Sequence, residues 1–206
     1  MKVQFFGLAS KLKFKKYIIV EKGSINLEVI KTRNELSVIG KNGIGFLLSA
    51  VFVWSIITVI FAQSIEIYQK NIYMLFSTGL MFPLSVGISQ FIKADWKLKN
   101  NQIGNLGLYL NLAQIIYFPI LFWGIINSPN DAIMLFAIIT GAHFFPYGWF
   151  YNAKPYYIMA PIMSFFIMFL GLYLNGENLW LISFSMVILL LVIILWLYLD
   201  YKRKIK

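Results

Sequence analysis

One histidine, His143, is the residue of this sequence best suited to acid–base chemistry, and it stands alone. The 206 residues contain no second histidine and no cysteine, and the 8 carboxylate residues all lie outside the long apolar runs. A metal site needs three or four His, Cys, Asp or Glu ligands, and paired-carboxylate catalysis needs two acids facing one space. The sequence therefore predicts no metal, no cofactor and no enzymatic activity.

Uncharged polar side chains fall at the depth of His143 once the apolar runs are placed in a membrane. At 1.5 Å per helical residue, His143 lies roughly 10 Å inside the inner end of its run. Asn111 and Gln114 lie roughly 9–14 Å inside the end of theirs. Ser85 and Ser49 fall at similar depth. These residues define a candidate polar layer, and Asn111 or Gln114 is the expected partner of His143.

Three interpretations of this polar layer remain open. It forms a pocket that opens to the cytoplasm, or it only joins helices through hydrogen bonds of ~0.6–2 kcal/mol each. The third interpretation is a Ser–His dyad for intramembrane hydrolysis. A dyad needs a serine in contact with His143 and an oxyanion hole, and no local motif supports it.

Prolines interrupt consecutive apolar runs. An interior proline removes one helical hydrogen bond and frees the carbonyl four residues before it. Broken helices at membrane depth can hold a substrate or an ion, as in transporters, but prolines also simply kink helices for packing. The predicted helix breaks are at Pro83, Pro119, Pro146 and Pro161.

Aromatic residues crowd the segment from Phe144 to Tyr157. Such residues gather at the membrane–water interface, where their rings are apolar and their tips are polar. The same rings would also suit the mouth of a pocket. The predicted inner-interface aromatics are Tyr147, Trp149, Tyr151 and Tyr156.

The elements that must position these residues are membrane-spanning helices. Hydrophobic residues make up 60% of the chain and charged residues 13%, whereas soluble domains carry about 25% charged residues. A hydrocarbon core of ~30 Å needs about 20 apolar residues per helix. We predict an all-α polytopic membrane protein with six spans. They are 43–63, 71–92, 105–126, 132–150, 155–174 and 179–199.

Orientation follows from the lysine and arginine residues. With the N-terminus inside, the cytoplasmic segments 1–42, 93–104, 151–154 and 200–206 carry 17 of the 18 cations. This asymmetry predicts cytoplasmic N- and C-termini in a cell membrane, and the composition suggests a bacterial cytoplasmic membrane. It also accounts for the net charge of +10 without nucleic-acid binding, so the expected partners are membrane lipids.

The residues outside the spans form two basic segments. Residues 1–42 are a cytoplasmic N-terminal segment, in which Ile25, Val29, Leu36 and Ile39 form one apolar stripe. This spacing predicts a short interfacial helix over about 25–39. Residues 200–206 are a basic cytoplasmic tail.

Four stretches resemble a bacterial family of small multispanning membrane proteins defined only as a domain of unknown function. The resemblance covers about 25–206 and implies a membrane protein without assigning an activity. The stretches are Ala50–Thr58 (AVFVWSIIT), Phe76–Ser85 (FSTGLMFPLS), Gly104–Ile120 (GNLGLYLNLAQIIYFPI) and Ile138–Ile162 (IITGAHFFPYGWFYNAKPYYIMAPI).

Together these features favour a small transporter, channel or solute- or lipid-binding membrane protein with a polar pocket in its cytoplasmic half. The alternative is a non-catalytic accessory or assembly subunit, whose polar groups only join helices. An intramembrane enzyme is the third hypothesis. The sequence names no substrate and no protein partner.

Overall fold

The computed structural model describes residues 26–97, 101, 103–174 and 176–206. The predictions for residues 1–24 and for Ile25 lie outside these residues. Helix α1 occupies residues 26–39, where the apolar stripe predicts a helix. The helices that follow are α2 (Ile44–Phe61), α3 (Ile67–Thr78), α4 (Met81–Phe91), α5 (Gly104–Ile116), α6 (Phe118–Asn127), α7 (Ala132–His143), α8 (Phe145–Phe150), α9 (Lys154–Tyr173) and α10 (Trp180–Lys204).

The described part of the chain is built from helices, as predicted. Five helical segments are long and apolar enough to cross a membrane: Lys41–Phe61, Gly104–Asn127, Ala132–Phe150, Lys154–Tyr173 and Gly176–Lys204. The pair α3 and α4 passes the same test together but is bent by 41° between them.

The ends of two predicted spans differ from the structure. Helix α3 begins at Ile67 rather than at 71, and α10 continues to Lys204 rather than ending at 199. Apolar length marks the hydrocarbon core only, whereas helical hydrogen bonding continues into the aqueous interface. Lys202, Arg203 and Lys204 lie in the last turn of α10, where cations interact favourably with the helix dipole.

Three of the four prolines lie next to helix breaks. Pro83 follows the break between α3 and α4, and Pro119 and Pro146 occupy the first turns of α6 and α8. Pro161 does not break its helix, because α9 runs uninterrupted from Lys154 to Tyr173. Its neighbours Ala160 and Met163 are buried. Membrane helices tolerate an interior proline where neighbouring groups satisfy the freed backbone.

The core is centred on the pairing of α2 with α10. Helix α2 contributes Trp54, Ile57 and Phe61 from a buried stripe with alternating three- and four-residue spacing. Helix α10 presents buried residues such as Met186 and Leu190 in return. The stacked rings of Trp54 and Phe136, with centroids 5.1 Å apart, attach α7 to this pair.

Helices α5 and α6 are only loosely attached to the rest of the bundle. Their main contacts are with α7 and α8. The residues that they bury are Gly104, Gly107, Leu121 and Gly124, so Leu121 is their single large buried side chain. Most of the surface of this segment therefore faces away from the described protein.

The close approach of α2 to α4 depends on Gly45. A Cβ atom at this position would lie 3.2 Å from the backbone Cα of Ser89. We expect Gly45→Ala to cost about 1–3 kcal/mol, because a helix backbone must move to make room. Gly87→Ala is the matched control on α4, since no atom of the described residues lies within 4 Å of a Cβ there. Thermal unfolding in detergent measures both, and equal stability of the two variants would contradict this packing.

Candidate functional site

The residues of the predicted polar layer are hydrogen-bonded mainly within their own helices. Ser49 Oγ donates to the carbonyl of Gly45 at 2.9 Å, and Ser85 Oγ donates to that of Phe82 at 2.8 Å. The Nδ2 of Asn111 donates to the carbonyl of Gly107 at 2.9 Å. The two serines are buried in the bundle, whereas Asn111 is exposed on its outside.

His143 lies at the end of α7, buried among aromatic rings. Its ring centroid is 5.3 Å from that of Tyr147, with the two rings nearly perpendicular. Within the described residues, no hydrogen bond joins His143 to Asn111 or Gln114, and Gln114 is half-buried on α5. The structure thus shows no hydrogen bond between His143 and these two residues, and both the common depth of the layer and the pocket stay predictions.

Three of the four predicted interface aromatics form a buried cluster. The rings of Tyr147, Tyr151 and Tyr156 lie 5.9–6.2 Å apart, centroid to centroid. Burial raises the pKa of the Tyr151 phenol above its ordinary value, so this phenol stays neutral. The hydroxyl of Tyr147 is buried and has no hydrogen-bond partner among the described residues. Trp149 is exposed, and its place at a membrane interface stays a prediction.

A polar network that sequence reasoning missed lies next to this cluster, and Asn42 is at its centre. Asn42 is completely buried in the short turn Lys41–Gly43 that precedes α2. Its Nδ2 donates to the carbonyl of Leu197 and to a carboxylate oxygen of Asp200, both at 3.0 Å. Its own carbonyl accepts a hydrogen bond of 2.7 Å from the hydroxyl of Tyr156.

The turn at Asn42 needs unusual backbone angles. Lys41, Asn42 and Gly43 all have positive φ, at 47°, 54° and 73°. Asparagine and glycine tolerate this conformation better than other residues. A Cβ atom on Gly43 would also lie 2.9 Å from the ring of Tyr151. The turn thus packs directly on the tyrosine cluster.

Lys204 completes the network from the end of α10. Its ammonium forms a 2.7 Å ion pair with Asp200 and donates to Ser37 Oγ at 2.9 Å. It also donates to the carbonyls of Tyr151 and Asn152, at 3.0 and 2.9 Å. Ser37 in turn donates to Asn42 Oδ1. One charged group therefore connects α1, α10 and the turn between α8 and α9.

Helix α1 is held across this end of the bundle by Arg33. The guanidinium donates to the carbonyl of Trp149 and, at 3.3 Å, to Asn152 Oδ1. It also lies 4.8 Å from the centroid of the Trp149 ring, within cation–π range. Asn152 Nδ2 donates to Asn34 Oδ1 at 2.8 Å, which adds a second tie between the turn and α1.

The segments rich in cations therefore meet at one end of the bundle. The turn 151–153 and the end of α10 contact α1, and the loop after α4 joins them through the amide of Asp95, which donates to the carbonyl of Ile39. Lys70 lies at the other end, where it donates to the carbonyl of Phe61 at 3.0 Å. At that end Asn71 donates to the carbonyl of Pro129.

The sequence carried a weak signal for this network. Asn42-Gly43 is a turn dipeptide placed directly before a predicted span. Apart from Ser37, however, the hydrogen-bond partners of Asn42 come from residues more than 100 positions later in the chain. In the described residues, no three His, Cys, Asp or Glu side chains are grouped so that they could hold a metal ion.

Comparison with known proteins assigns the chain to a family without assigning an activity. A family model described as a family of unknown function, DUF7010, matches residues 29–200. No curated protein and no solved structure matches the chain.

Two substitutions of Asn42 separate its hydrogen bonds from its backbone angle. We expect Asn42→Gly to cost about 1–3 kcal/mol, because Asp200 and the Leu197 carbonyl lose a buried donor. Asn42→Ala should cost about 1–2 kcal/mol more, since alanine resists positive φ. Both are measured by thermal unfolding in detergent.

The control for both variants is Asn127→Ala. Asn127 is exposed, and among the described residues its side chain bonds only within its helix, to the carbonyl of Trp123. Its loss should change stability by no more than about 0.5 kcal/mol. If the two Asn42 variants were as stable as this control, Asn42 would not be the centre of the network.

Proposed function

We propose that this chain, which belongs to the family of unknown function DUF7010, is a six-span membrane protein that serves as a non-catalytic assembly subunit. Both termini lie in the cytoplasm, and the membrane is the cytoplasmic membrane of a bacterium. Its partners are membrane lipids and other membrane proteins, and it does not bind nucleic acid.

The proposed topology rests on which segments meet. Helix α1, the loop after α4, the turn after α8 and the end of α10 lie at one end of the bundle. An even number of crossings returns the chain to the side on which it began. The bent pair α3 and α4 therefore counts as one span, and six spans result. The excess of cations at this end orients it to the cytoplasm.

The observation that carries the assembly role is the covering of the cytoplasmic end by α1. A pocket that exchanges solute with the cytoplasm needs an opening there, near the inner ends of α2 and α10. The described hydrogen bonds instead link α1 and its following turn to α8 through Arg33, to α9 and α10 through Asn42, and to α10 through Ser37. Ser49 and Ser85 bond only to carbonyls of their own helices. Such groups stabilise a bundle and need no ligand.

A second candidate function is the small transporter or ligand-binding protein, and one observation favours it. The hydroxyl of Tyr147 is buried without a described hydrogen-bond partner, next to the ring of His143. A bound polar molecule would satisfy this hydroxyl. The intramembrane enzyme ranks below both, because the hydroxyls of Ser49 and Ser85 are engaged within their own helices.

Reporter fusions test the topology. Fusions after Lys99 and after Lys154 should report the cytoplasm, and fusions after Gln69 and Asn130 should report the outside, because the cations are retained inside. A fusion after Lys206 serves as a further cytoplasmic reference. An external signal after Lys99 would exclude the six-span arrangement, since the bent pair would then end on the other side.

Native gels of gently solubilised host membranes test the assembly role. We expect the chain to run in a complex larger than a dimer of itself. His143→Gln should leave this complex intact, because the proposed role does not use the polar layer. A host strain that lacks the chain provides the second readout, which is whether wild type or His143→Gln restores the phenotype of the parent strain. Rescue by wild type but not by His143→Gln, with the chain running no larger than a dimer, would overturn the assembly role and favour a pocket.

A further inference from the structure

The segment α5–α6 carries a regular stripe on a face that the described bundle leaves uncovered. The residues Leu108, Asn111, Ile115, Phe118 and Phe122 recur at alternating spacings of three and four. This is the spacing with which a helix contacts a partner helix along a seam. We refer to these five residues as the α5–α6 seam. Leu108 and Ile115 are each 57% exposed, and Phe122 is 46% exposed.

Asn111 distinguishes this seam from an ordinary lipid-facing surface. It lies about 10 Å from the inner end of the segment by helix rise, within the depth of hydrocarbon under the proposed placement. Its Nδ2 donates to Gly107, but within the described residues nothing donates to its Oδ1. Hydrocarbon offers no donor, so an amide facing lipid is unfavourable.

We infer that the α5–α6 seam is the contact surface for a second copy of this chain, in a parallel pair joined by the two Asn111 amides. This inference rests on the proposed six-span placement, which makes α5–α6 cross the membrane. Two copies inserted in the same orientation are related by a twofold axis along the membrane normal. Such an axis brings each seam residue opposite the same residue of the other copy, at the same depth.

The chemistry of asparagine suits this arrangement. A carboxamide contains both a donor and an acceptor, so two copies of Asn111 satisfy each other. The free Oδ1 of one copy accepts from the remaining N–H of the other, while the bond to Gly107 is kept. A single asparagine in an otherwise apolar seam also fixes the register, because any shift would leave both amides in hydrocarbon. The apolar residues on either side then pack as knobs between the helices.

The near absence of buried large side chains in α5–α6 agrees with this role. The fully buried residues of the segment are Gly104, Gly107, Leu121 and Gly124, and the half-buried Leu106, Leu110 and Ile125 also pack against the core. The inner side of the segment therefore holds one large fully buried side chain, and the seam is available on the outer side. Association in membranes relies on such packing and on interhelical hydrogen bonds, since lipid supplies no hydrophobic drive.

Disulfide trapping in native membranes tests the seam, and the chain suits the method because it has no cysteine of its own. The seam variants are Leu108→Cys, Ile115→Cys and Phe122→Cys. The controls are Tyr109→Cys, Ile116→Cys and Trp123→Cys, each one residue further along. The control positions are 63%, 75% and 59% exposed, so they are no less accessible than the seam.

The pairing predicts a periodic result. Mild oxidation should convert the seam variants to dimers of the chain, because the Cβ atoms of the two copies approach to about 4 Å. The control variants should stay monomeric, since their side chains point away from the axis. Asn111→Leu in the Ile115→Cys background should lower the dimer-to-monomer ratio about three- to thirtyfold, which corresponds to one interhelical hydrogen bond in a membrane. Asn111→Gln should retain most of the dimer.

Several results would overturn the inference. Equal trapping at seam and control positions would indicate random collision, and trapping to a different protein would identify another partner for the seam. An unchanged ratio in Asn111→Leu would remove the asparagine from the contact. Absence of trapping, with correct reporter topology and an intact large complex in native gels, would refute the pair and leave the assembly role standing. Reporters that place the fusions after Lys99 and after Asn130 on the same side would refute the placement and the pair together.

Discussion

The structure depends on one constraint, which is that polar groups removed from water must find partners inside the protein. The buried side chain of Asn42 shows how this is met. The side chain donates to the carbonyl of Leu197 and to the carboxylate of Asp200. The backbone carbonyl of Asn42 accepts a hydrogen bond from the hydroxyl of Tyr156. Lys204 extends the same set of bonds to Ser37 and to the turn after α8. The first and last helices of the described chain are thereby fixed to its middle.

The apolar packing is organised around this fixed end. Helices α2 and α10, which approach each other at Asn42, continue as the central pair along their length. Helices α7 and α9 pack closely beside them, where Gly141 lies against Met163. Helices α5 and α6 stand outside this arrangement with few buried residues. The molecule therefore has one tightly packed part and one segment, α5–α6, whose surface is largely uncovered. This difference motivates both proposals.

Membership in DUF7010, a family of unknown function, leaves the activity of the chain open. The two leading hypotheses, a transporter and an assembly subunit, place different demands on the polar groups. A transporter needs polar groups that converge on a solvent-accessible space. Here the converging polar groups are those of the network around Asn42, and they are hydrogen-bonded to one another. The Tyr147 hydroxyl and Asn71 Oδ1, in contrast, are buried without a hydrogen-bond partner among the described residues. The mutual hydrogen bonding of the network supports the proposed assembly role, and the unpartnered Tyr147 hydroxyl supports the second candidate, a ligand-binding protein.

The sequence by itself determined the helical class and the main apolar segments, because a bilayer demands about 20 apolar residues in a row and a pattern of that length is unmistakable. Helix α1 was also predictable from the spacing of its apolar residues, and the helix breaks at Pro119 and Pro146 from the missing amide of proline. Only the tertiary structure decided which polar residues work together. The network of Asn42, Asp200 and Lys204 joins positions far apart in the chain. The Asn42-Gly43 dipeptide indicates a turn, but it does not show that this asparagine is buried while Asn111 is exposed. Depth in the membrane can be counted along a helix, but the direction in which a side chain points within the bundle is set by the helices that pack around it.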